Sequence, residues 1–367
     1  MPADGAEVTE RDLPWDVPAA WAPALAAARE GGLLLLIGAV DSGKSTLAAV
    51  LAHAGASASR RVAVVDADIG QTSIGPPACV GMALVEVPPT ALEDLPPRAI
   101  SFVGACSPAG HLLELAAATH ELVQVARREG AETIIVDTTG LVSGGAARAL
   151  KSAKVRLLDA DYLVAVQAQG EVEHLLVPYA HRARPQVLRL PRSRRAKVRT
   201  REERAARRQR RFASYLQDGK VIELAWEQAP AENSAWTTGA AAPGHIRAFA
   251  EEKVECEVLH AEVRADGLLV VVSRRPSPEG LRDLGESFGA ARAVELGALD
   301  HLLVGLLGER GETLGMGVLE AVDFRAHQVQ VFTPCRQPEA VRGLRLGGLR
   351  VAPDGTELGW LQPGSLA

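Results

Sequence analysis

Apolar residues follow two different rhythms along this chain. Residues 33–37 form an uninterrupted apolar run bounded by glycine, the pattern of a strand buried on both faces of a parallel sheet. Runs at 61–65, 133–136, 162–166 and 187–190 predict further buried strands, and 99–103 predicts a short one. Between them, 16–30, 44–56, 111–129 and 146–158 carry helical periodicity. Asp16 is a candidate cap for the first helix, and Pro18 sits near its first turn. Residues 70–110, rich in Gly and Pro, read as loops with one or two short strands. Strands alternating with helices predict a mostly parallel sheet covered on both faces.

The rhythm changes near residue 220. Segments 220–225, 254–263, 268–272, 301–306 and 329–332 are strand-like, separated by turn-forming stretches at 264–267 (with the pair Asp266-Gly267), 309–311 and 353–355. Long helices are scarce there. The expected layout is a polar lead and helix over 1–30, an α/β domain over 31–228 and a β-rich domain over 229–367.

Composition narrows the picture. A 367-residue chain that is 47% hydrophobic has ample material for more than one core. Its net charge of −5 excludes a generally basic coating protein, so any polyanion site must be a local patch. Cys79, Cys106, Cys256 and Cys335 are widely spaced, which predicts reduced thiols without a zinc site or disulfide framework. The acidic N-terminus lacks the pattern of a signal peptide, and no apolar run reaches membrane-spanning length. A cytoplasmic protein without membrane contact is expected.

The strongest chemical signal follows the first apolar run. Gly38-Ala39-Val40-Asp41-Ser42-Gly43-Lys44-Ser45 fits G-x-x-x-x-G-K-[ST], with Thr46 next, and it opens a helical stretch. Such a loop turns backbone N–H groups toward phosphate oxygens, and the helix N-terminus adds its positive end. Lys44 is expected to reach the β- and γ-phosphates of ATP, and Ser45 to coordinate Mg²⁺. Two acidic strand ends belong to the same rim of an open α/β sheet: Asp66 and Asp68, in phase on an extended chain, and Asp137. Each is a candidate for the metal and its waters, or for taking a proton from an attacking hydroxyl. For Asp137 the competing role is to anchor its loop through backbone amides.

The second signal is a basic segment. Residues 192–211 hold eleven Arg or Lys against Glu202 and Glu203. From about 201 to 216 the pattern is helical, and Arg204, Arg208 and Arg211 share one face. Arginine forks match phosphate oxygens. The competing readings are a solvated helix held by ion pairs and a basic segment binding nucleic acid nonspecifically.

Together these motifs resemble the polynucleotide 5′-hydroxyl kinases of RNA processing, a group that includes the pre-mRNA cleavage-complex kinase and ribosomal-RNA-processing kinases. The likeness rests on GAVDSGKST (38–46), DADIGQTSIGPPACVGM (66–82), DTTGLVSG (137–144), VAVQAQGEVEHLL (164–176), the basic segment 192–216 and a late stretch at 303–334. It implies a P-loop NTPase fold of three layers with a helical, arginine-rich lid over about 192–216, followed by the β-rich domain. It further implies that Lys44 and Ser45 serve ATP and Mg²⁺, that Asp68 activates the 5′-hydroxyl, and that Asp66 organises the metal. Gln71, Thr138, Thr139, Gly140 and Gln167 would line the phosphate and acceptor region. Arg204 and Arg208 would be lid arginines, with Arg207 and Arg211 on the acceptor. Relatives stack an acceptor base on an aromatic residue; Tyr179 is one candidate, against a role in the core or at the rim. Only about 30 residues precede the first strand, where eukaryotic members often carry an extra domain.

The implied activity is transfer of the γ-phosphate of ATP to the 5′-hydroxyl end of single-stranded or end-accessible RNA or DNA. Two alternatives stay open on sequence alone: a P-loop NTPase switch or chaperone without a nucleic-acid acceptor, and a noncatalytic, ATP-binding RNA-processing scaffold.

Overall fold

The computed structural model describes residues 14–232, 234 and 239–361. The expected polar lead lies mostly outside the described residues. The chain divides into two compact units, Met1–Ser101 with Ser107–Ala205, and Phe102–Cys106 with Ala206–Ala367. The domain boundary expected at 228/229 falls inside the second unit.

The first unit contains α1 (Ala22–Glu30), β1 (Gly32–Gly38), α2 (Lys44–Ser57), β2 (Val62–Ala67), β3 (Cys79–Val85), β4 (Ala99–Phe102, its last residue in the second unit), α3 (Leu112–Arg128), β5 (Thr133–Thr138), α4 (Gly144–Leu158), β6 (Tyr162–Gln167), α5 (Glu173–Leu176) and β7 (Gln186–Pro191). Its sheet runs in the order β3-β2-β5-β1-β6-β7. The five strands from β2 to β7 are parallel, and β3 runs antiparallel to β2. The unbroken apolar runs are explained by burial from both sides. Leu34, Leu36, Val62, Val64, Ile135 and Val164 pack under the small, Ala-rich surfaces of α1 and α2. Alternate residues such as Leu33, Leu35 and Ile37 are equally buried toward the opposite face, where α3 packs on β2 and β3 and α4 packs on α3.

Two local expectations need correction. The first helix begins with a short 3₁₀ turn at Ala19–Trp21, and Pro23, not Pro18, occupies its first α-helical turn. Asp16 does not cap it; its carboxylate accepts a hydrogen bond from Ser193 Oγ at 2.9 Å. The Gly-Pro-rich stretch 70–110 holds two strands, β3 and β4, within the one or two expected there, and β3 is the one whose place was not given. Its register with β2 pairs Asp66 with Gly81.

α6 (Arg201–Leu216) starts in the first unit and continues in the second. The second unit adds β8 (Lys220–Ala225), β9 (Ala231–Glu232), β10 (Ala240–Ala241), α7 (Gly244–Val254), β11 (Val258–Arg264), β12 (Gly267–Val272), α8 (Pro278–Phe288), β13 (Ala291–Glu295), β14 (Leu302–Leu307), β15 (Thr313–Asp323), β16 (Gln328–Thr333), β17 (Gly343–Val351) and β18 (Glu357–Trp360). An antiparallel array β18-β17-β14-β15-β16-β8 faces a smaller sheet β10-β11-β12-β13 backed by α7 and α8. The strand expected over 254–263 is shorter than predicted. Its first residue ends α7, which stops where Glu255 takes a left-handed φ of 56°.

Candidate active site

The order of the parallel strands brings the chemistry to one rim. β1 lies between β5 and β6, so the loop leaving β1 meets the ends of neighbours on both sides. That loop turns through Asp41 at φ 58° and Gly43 at φ 95°, the second a conformation that favours glycine. α2 then starts at Lys44, which points its N-terminal amides back into the loop. Lys44 is only 6% exposed and its Nζ donates to the carbonyl of Ala39 at 2.8 Å. Ala39 and Asp41 are half-buried, whereas Val40, Ser45 and Thr46 are exposed.

The three carboxylates share this rim but have different partners. Asp66 and Asp137 are register neighbours on β2 and β5. Asp66 is enclosed by backbone: Oδ1 accepts from the Asp68 amide at 3.0 Å, and Oδ2 from the amides of Ser73 and Ile74 at 2.5 and 3.1 Å. It therefore anchors the loop that returns from β2. Asp137 accepts from Ser45 Oγ at 2.5 Å through Oδ2, while its buried Oδ1 has no hydrogen-bond partner. Asp68 is half-buried. Its Oδ1 accepts from the amides of Gly70 and Gln71, both at 3.2 Å, and its Oδ2 takes no protein hydrogen bond among the described residues. The loop-anchoring role weighed for Asp137 is thus the geometry of Asp66.

Burial under the sheet edge raises the proton affinity of Asp66 and Asp137. Burial, then the neighbouring Asp137 carboxylate, pushes Asp66 up to about 7, against the pull of the Ser73 amide. Burial raises Asp137 as well, opposed by the Lys44 ammonium and the Ser45 hydroxyl.

The loop after β5 closes the site from one side. Thr138 Oγ1 donates to the Leu36 carbonyl at 2.7 Å, and Thr139 Oγ1 is buried without a partner. Gly140 lies so close to the nucleotide loop that a Cβ there would sit 2.6 Å from Val40 N. Gln167, at the end of β6, donates to Glu173, which also pairs with Arg189. Gln71 donates to the carbonyls of Gly70 and Arg204, at 2.6 and 3.4 Å.

The start of the basic segment is tied to the same loop. Arg204 donates to Asp41 Oδ2 at 2.6 Å, and the Arg199 amide reaches the same oxygen at 3.1 Å. Arg204 Nε is buried without a partner. Arg207, Arg208 and Arg211 belong to the second unit, where Arg208 makes a two-point contact with Glu357. Arg204 and Arg208, placed on one helical face, therefore have separate carboxylate partners. Tyr179 is not available for stacking: it is 5% exposed, and the Arg182 guanidinium lies 4.9 Å from its ring centre.

This donor set fits a nucleotide triphosphate with a hard divalent cation. A buried lysine, the first amides of a helix, the unpaired Ser42 Oγ and the unpaired Arg204 Nε present donors suited to phosphate oxygens. Ser45 with the open Oδ1 of Asp137 offers the oxygen ligands that Mg²⁺ takes beside phosphates. Among the described residues no group of three or more His, Cys, Asp and Glu is arranged to hold a metal ion.

Residues 38–218 match the family described as mRNA cleavage and polyadenylation factor CLP1 P-loop. The polyribonucleotide 5′-hydroxyl-kinase of Thermococcus kodakarensis is 33% identical over 338 residues, covering 90% of this chain and 91% of that protein. The chain belongs to the polyribonucleotide 5′-hydroxyl kinase family. The kinases so named from Methanocaldococcus jannaschii and Pyrococcus furiosus are 30% and 29% identical, covering 91% and 97% of this chain and 91% and 98% of their own lengths. The fold also matches the solved structure of a wild-type Clp1p–Pcf11p complex, with a TM-score of 0.54, 12% identity, 90% of this chain and 76% of that one.

In this kinase-family site, sequence reasoning missed two residues. Lys151 and Lys154 on α4 are 2% and 0% exposed. A signal was present: Ala147, Lys151, Lys154 and Leu158 fall at i, i+4, i+7 and i+11, so both lysines interrupt the stripe that buries α4.

Proposed function

We propose that this chain is an ATP-dependent polynucleotide 5′-hydroxyl kinase that phosphorylates the 5′-hydroxyl end of RNA. The observation that carries the reading is the rim itself: Lys44, the Ser45–Asp137 pair and the open oxygen of Asp68 converge beside one phosphate-binding loop. The names of the archaeal relatives supply the acceptor class.

Phosphoryl transfer asks the protein mainly for positioning and charge stabilisation. Lys44 and the loop amides hold the β- and γ-phosphates. Ser45 and Asp137 would hold Mg²⁺, which would draw charge from the phosphate oxygens. Asp68 Oδ2 accepts the proton of the 5′-hydroxyl as that oxygen bonds to the γ-phosphorus and the bond to the ADP oxygen breaks. Asp66 keeps Asp68 in place by fixing the loop that carries it. Arg204 exchanges Asp41 for phosphate as the arginine lid closes, excluding water. The products are ADP and a 5′-phosphorylated strand.

The test uses γ-labelled ATP with matched 5′-hydroxyl RNA, 5′-hydroxyl DNA and no acceptor, with and without Mg²⁺. Mg²⁺-dependent label on RNA is expected. Release of labelled phosphate without labelled strand would identify a switch-type NTPase, and ATP binding with neither product a scaffold. Both outcomes defeat the kinase reading.

A further inference from the structure

Helix α4 buries two lysine amines that the phosphate-binding motifs do not account for. They lie three residues apart among Ala147, Leu150, Val155 and Leu158 on the buried face. Desolvation and mutual repulsion both oppose such a pair. Burial, together with the neighbouring cations, pushes the Lys151 amine well below its ordinary range; burial brings Lys154 to about 7, against the pull of Asp68, Asp137 and Asp66. A feature held against that cost calls for a use at this place.

The contacts of Lys151 define one. Its Nζ donates to Thr138 Oγ1 and to the Thr139 carbonyl, both at 2.7 Å. Thr138 Oγ1 passes its own hydrogen to the Leu36 carbonyl in β1. One amine thus clips the turn after β5 to α4, and through Thr138 to the strand that launches the nucleotide loop. The same turn brings Gly140 against Val40. Lys154 stands behind it without a hydrogen-bond partner, within the field of the three rim carboxylates.

We propose that Lys151 is a positioning residue for phosphoryl transfer: it clamps the 138–140 turn where that turn meets the nucleotide loop, so that the acceptor's 5′-hydroxyl is presented to the γ-phosphate. Lys154 places a second buried amine behind the same turn, within the field of Asp66, Asp68 and Asp137. This inference rests on the kinase reading and assigns the acceptor side of the site to the clamp. The loop over 38–46 is also held by the Lys44–Ala39 and Arg204–Asp41 bonds, so loss of the clamp should fall more heavily on acceptor use than on nucleotide affinity.

The experiment compares wild type, Lys151→Met, Thr138→Val and the double variant in the full chain. Near-UV circular dichroism checks the fold, a fluorescent ATP analogue reports nucleotide binding, and labelled 5′-hydroxyl RNA reports transfer. Displacement of a reacting group by about an ångström lowers rate by roughly 100-fold, so K151M should lose about that factor in kcat/KM for RNA while its nucleotide Kd stays within about 3-fold. T138V, which leaves the Lys151 bond to the Thr139 carbonyl but removes the bond to the Leu36 carbonyl, should lose roughly 10-fold, and the double variant should lose clearly less than the product of the single losses because both residues hold the same turn. Transfer by K151M near the wild-type rate overturns the clamp. So does a parallel loss of nucleotide affinity, or additive losses in the double variant. Should K151M fail to fold, T138V decides alone: an acceptor-specific loss supports the clamp, and wild-type transfer refutes it. Absence of RNA labelling by the wild-type chain defeats the kinase reading and the clamp with it, whereas wild-type labelling with unaffected variants defeats the clamp alone.

Discussion

Replacing Lys154 with Met should make the protein more stable and a poorer kinase, with the stability gain set by pH. Lys154 is fully buried and its amine has no hydrogen-bond partner. Its pKa falls from 10.5 to about 7, which corresponds to about 5 kcal/mol of preference for the neutral form. The sign follows from linkage. For a base depressed in the folded state, the stability is present above pH 10.5 and lost as pH falls through about 7. At pH 6 the wild type holds an ammonium in the core, and Met fills similar volume without that charge. The expected gain there is about 3–5 kcal/mol, the upper figure reduced as the carboxylates lose a counter-charge and take up protons. At pH 10 the folded amine is neutral while the unfolded one is still mostly protonated, which leaves about 1 kcal/mol of linkage cost beside the unpaired buried polar group, worth about 1–2 kcal/mol. Urea unfolding of both proteins at pH 6 and pH 10, followed by circular dichroism, measures the difference. A K154M protein less stable at pH 6, or a gain that does not shrink at pH 10, would refute the reasoning. Kinase activity should fall at neutral pH because the rim loses one of its balancing charges.

Other substitutions probe neighbouring parts of the site. Lys44→Ala should lower transfer by about 1,000-fold or more with an unchanged circular dichroism spectrum; retained transfer in folded protein would sink the assignment of the phosphate cradle. Gly140→Ala places a methyl 2.6 Å from Val40 N and should weaken ATP binding by roughly 10-fold through a displaced loop, about 1.4 kcal/mol, measured by titration calorimetry. Asp66→Asn should destabilise by about 2 kcal/mol, because an amide cannot accept from all the backbone N–H groups that Asp66 now satisfies. An acid raised to about 7 contributes stability that is whole below pH 3.8 and lost as pH rises through about 7, so this variant should also lose the wild-type slope between those limits. The exposed side chains of Arg194, Arg195 and Lys197 lie on a segment tied to the nucleotide loop through Asp41. Neutralising all three should raise KM for an RNA of roughly ten nucleotides and flatten its logarithmic salt dependence by about 2, with KM for ATP little changed.

The parts of the molecule that were legible in sequence are those where one local rule dominates. Strands buried on both faces must be apolar throughout, so β1 and β5 announced themselves as unbroken runs. The loop between β1 and α2 was equally clear, because a tight turn into a helix N-terminus restricts residue choice at fixed positions. β3 was obscured because its local glycine and the adjacent prolines read as loop, whereas pairing with β2 decides its conformation. The strand expected over 254–263 failed for a related reason: apolar residues at the end of α7 and the start of β11 run together in sequence, and only a left-handed residue separates them.

Site chemistry was legible by residue type and less so by partner. Alternation put Asp66 and Asp68 in one phase, yet their surroundings differ because the chain returns over Asp66 and delivers the amides of Ser73 and Ile74. Helical spacing likewise put Arg204 and Arg208 on one face, while Asp41 and Glu357, far apart in sequence, give them different contacts. Lys151 and Lys154 are the sharpest instance. On composition alone, lysine in a helix reads as a solvated face, and α4 contains other basic residues that are exposed. What distinguishes these two is their phase relative to Ala147, Leu150 and Leu158, and an ammonium group in an apolar stripe is tolerated only beside compensating charge or acceptors. The acids that supply that charge end other strands, and the acceptors close the turn after β5. A cation in the wrong stripe of a helix is therefore evidence about the far side of the sheet, and here it leads from a packing anomaly to the edge where phosphate is handled.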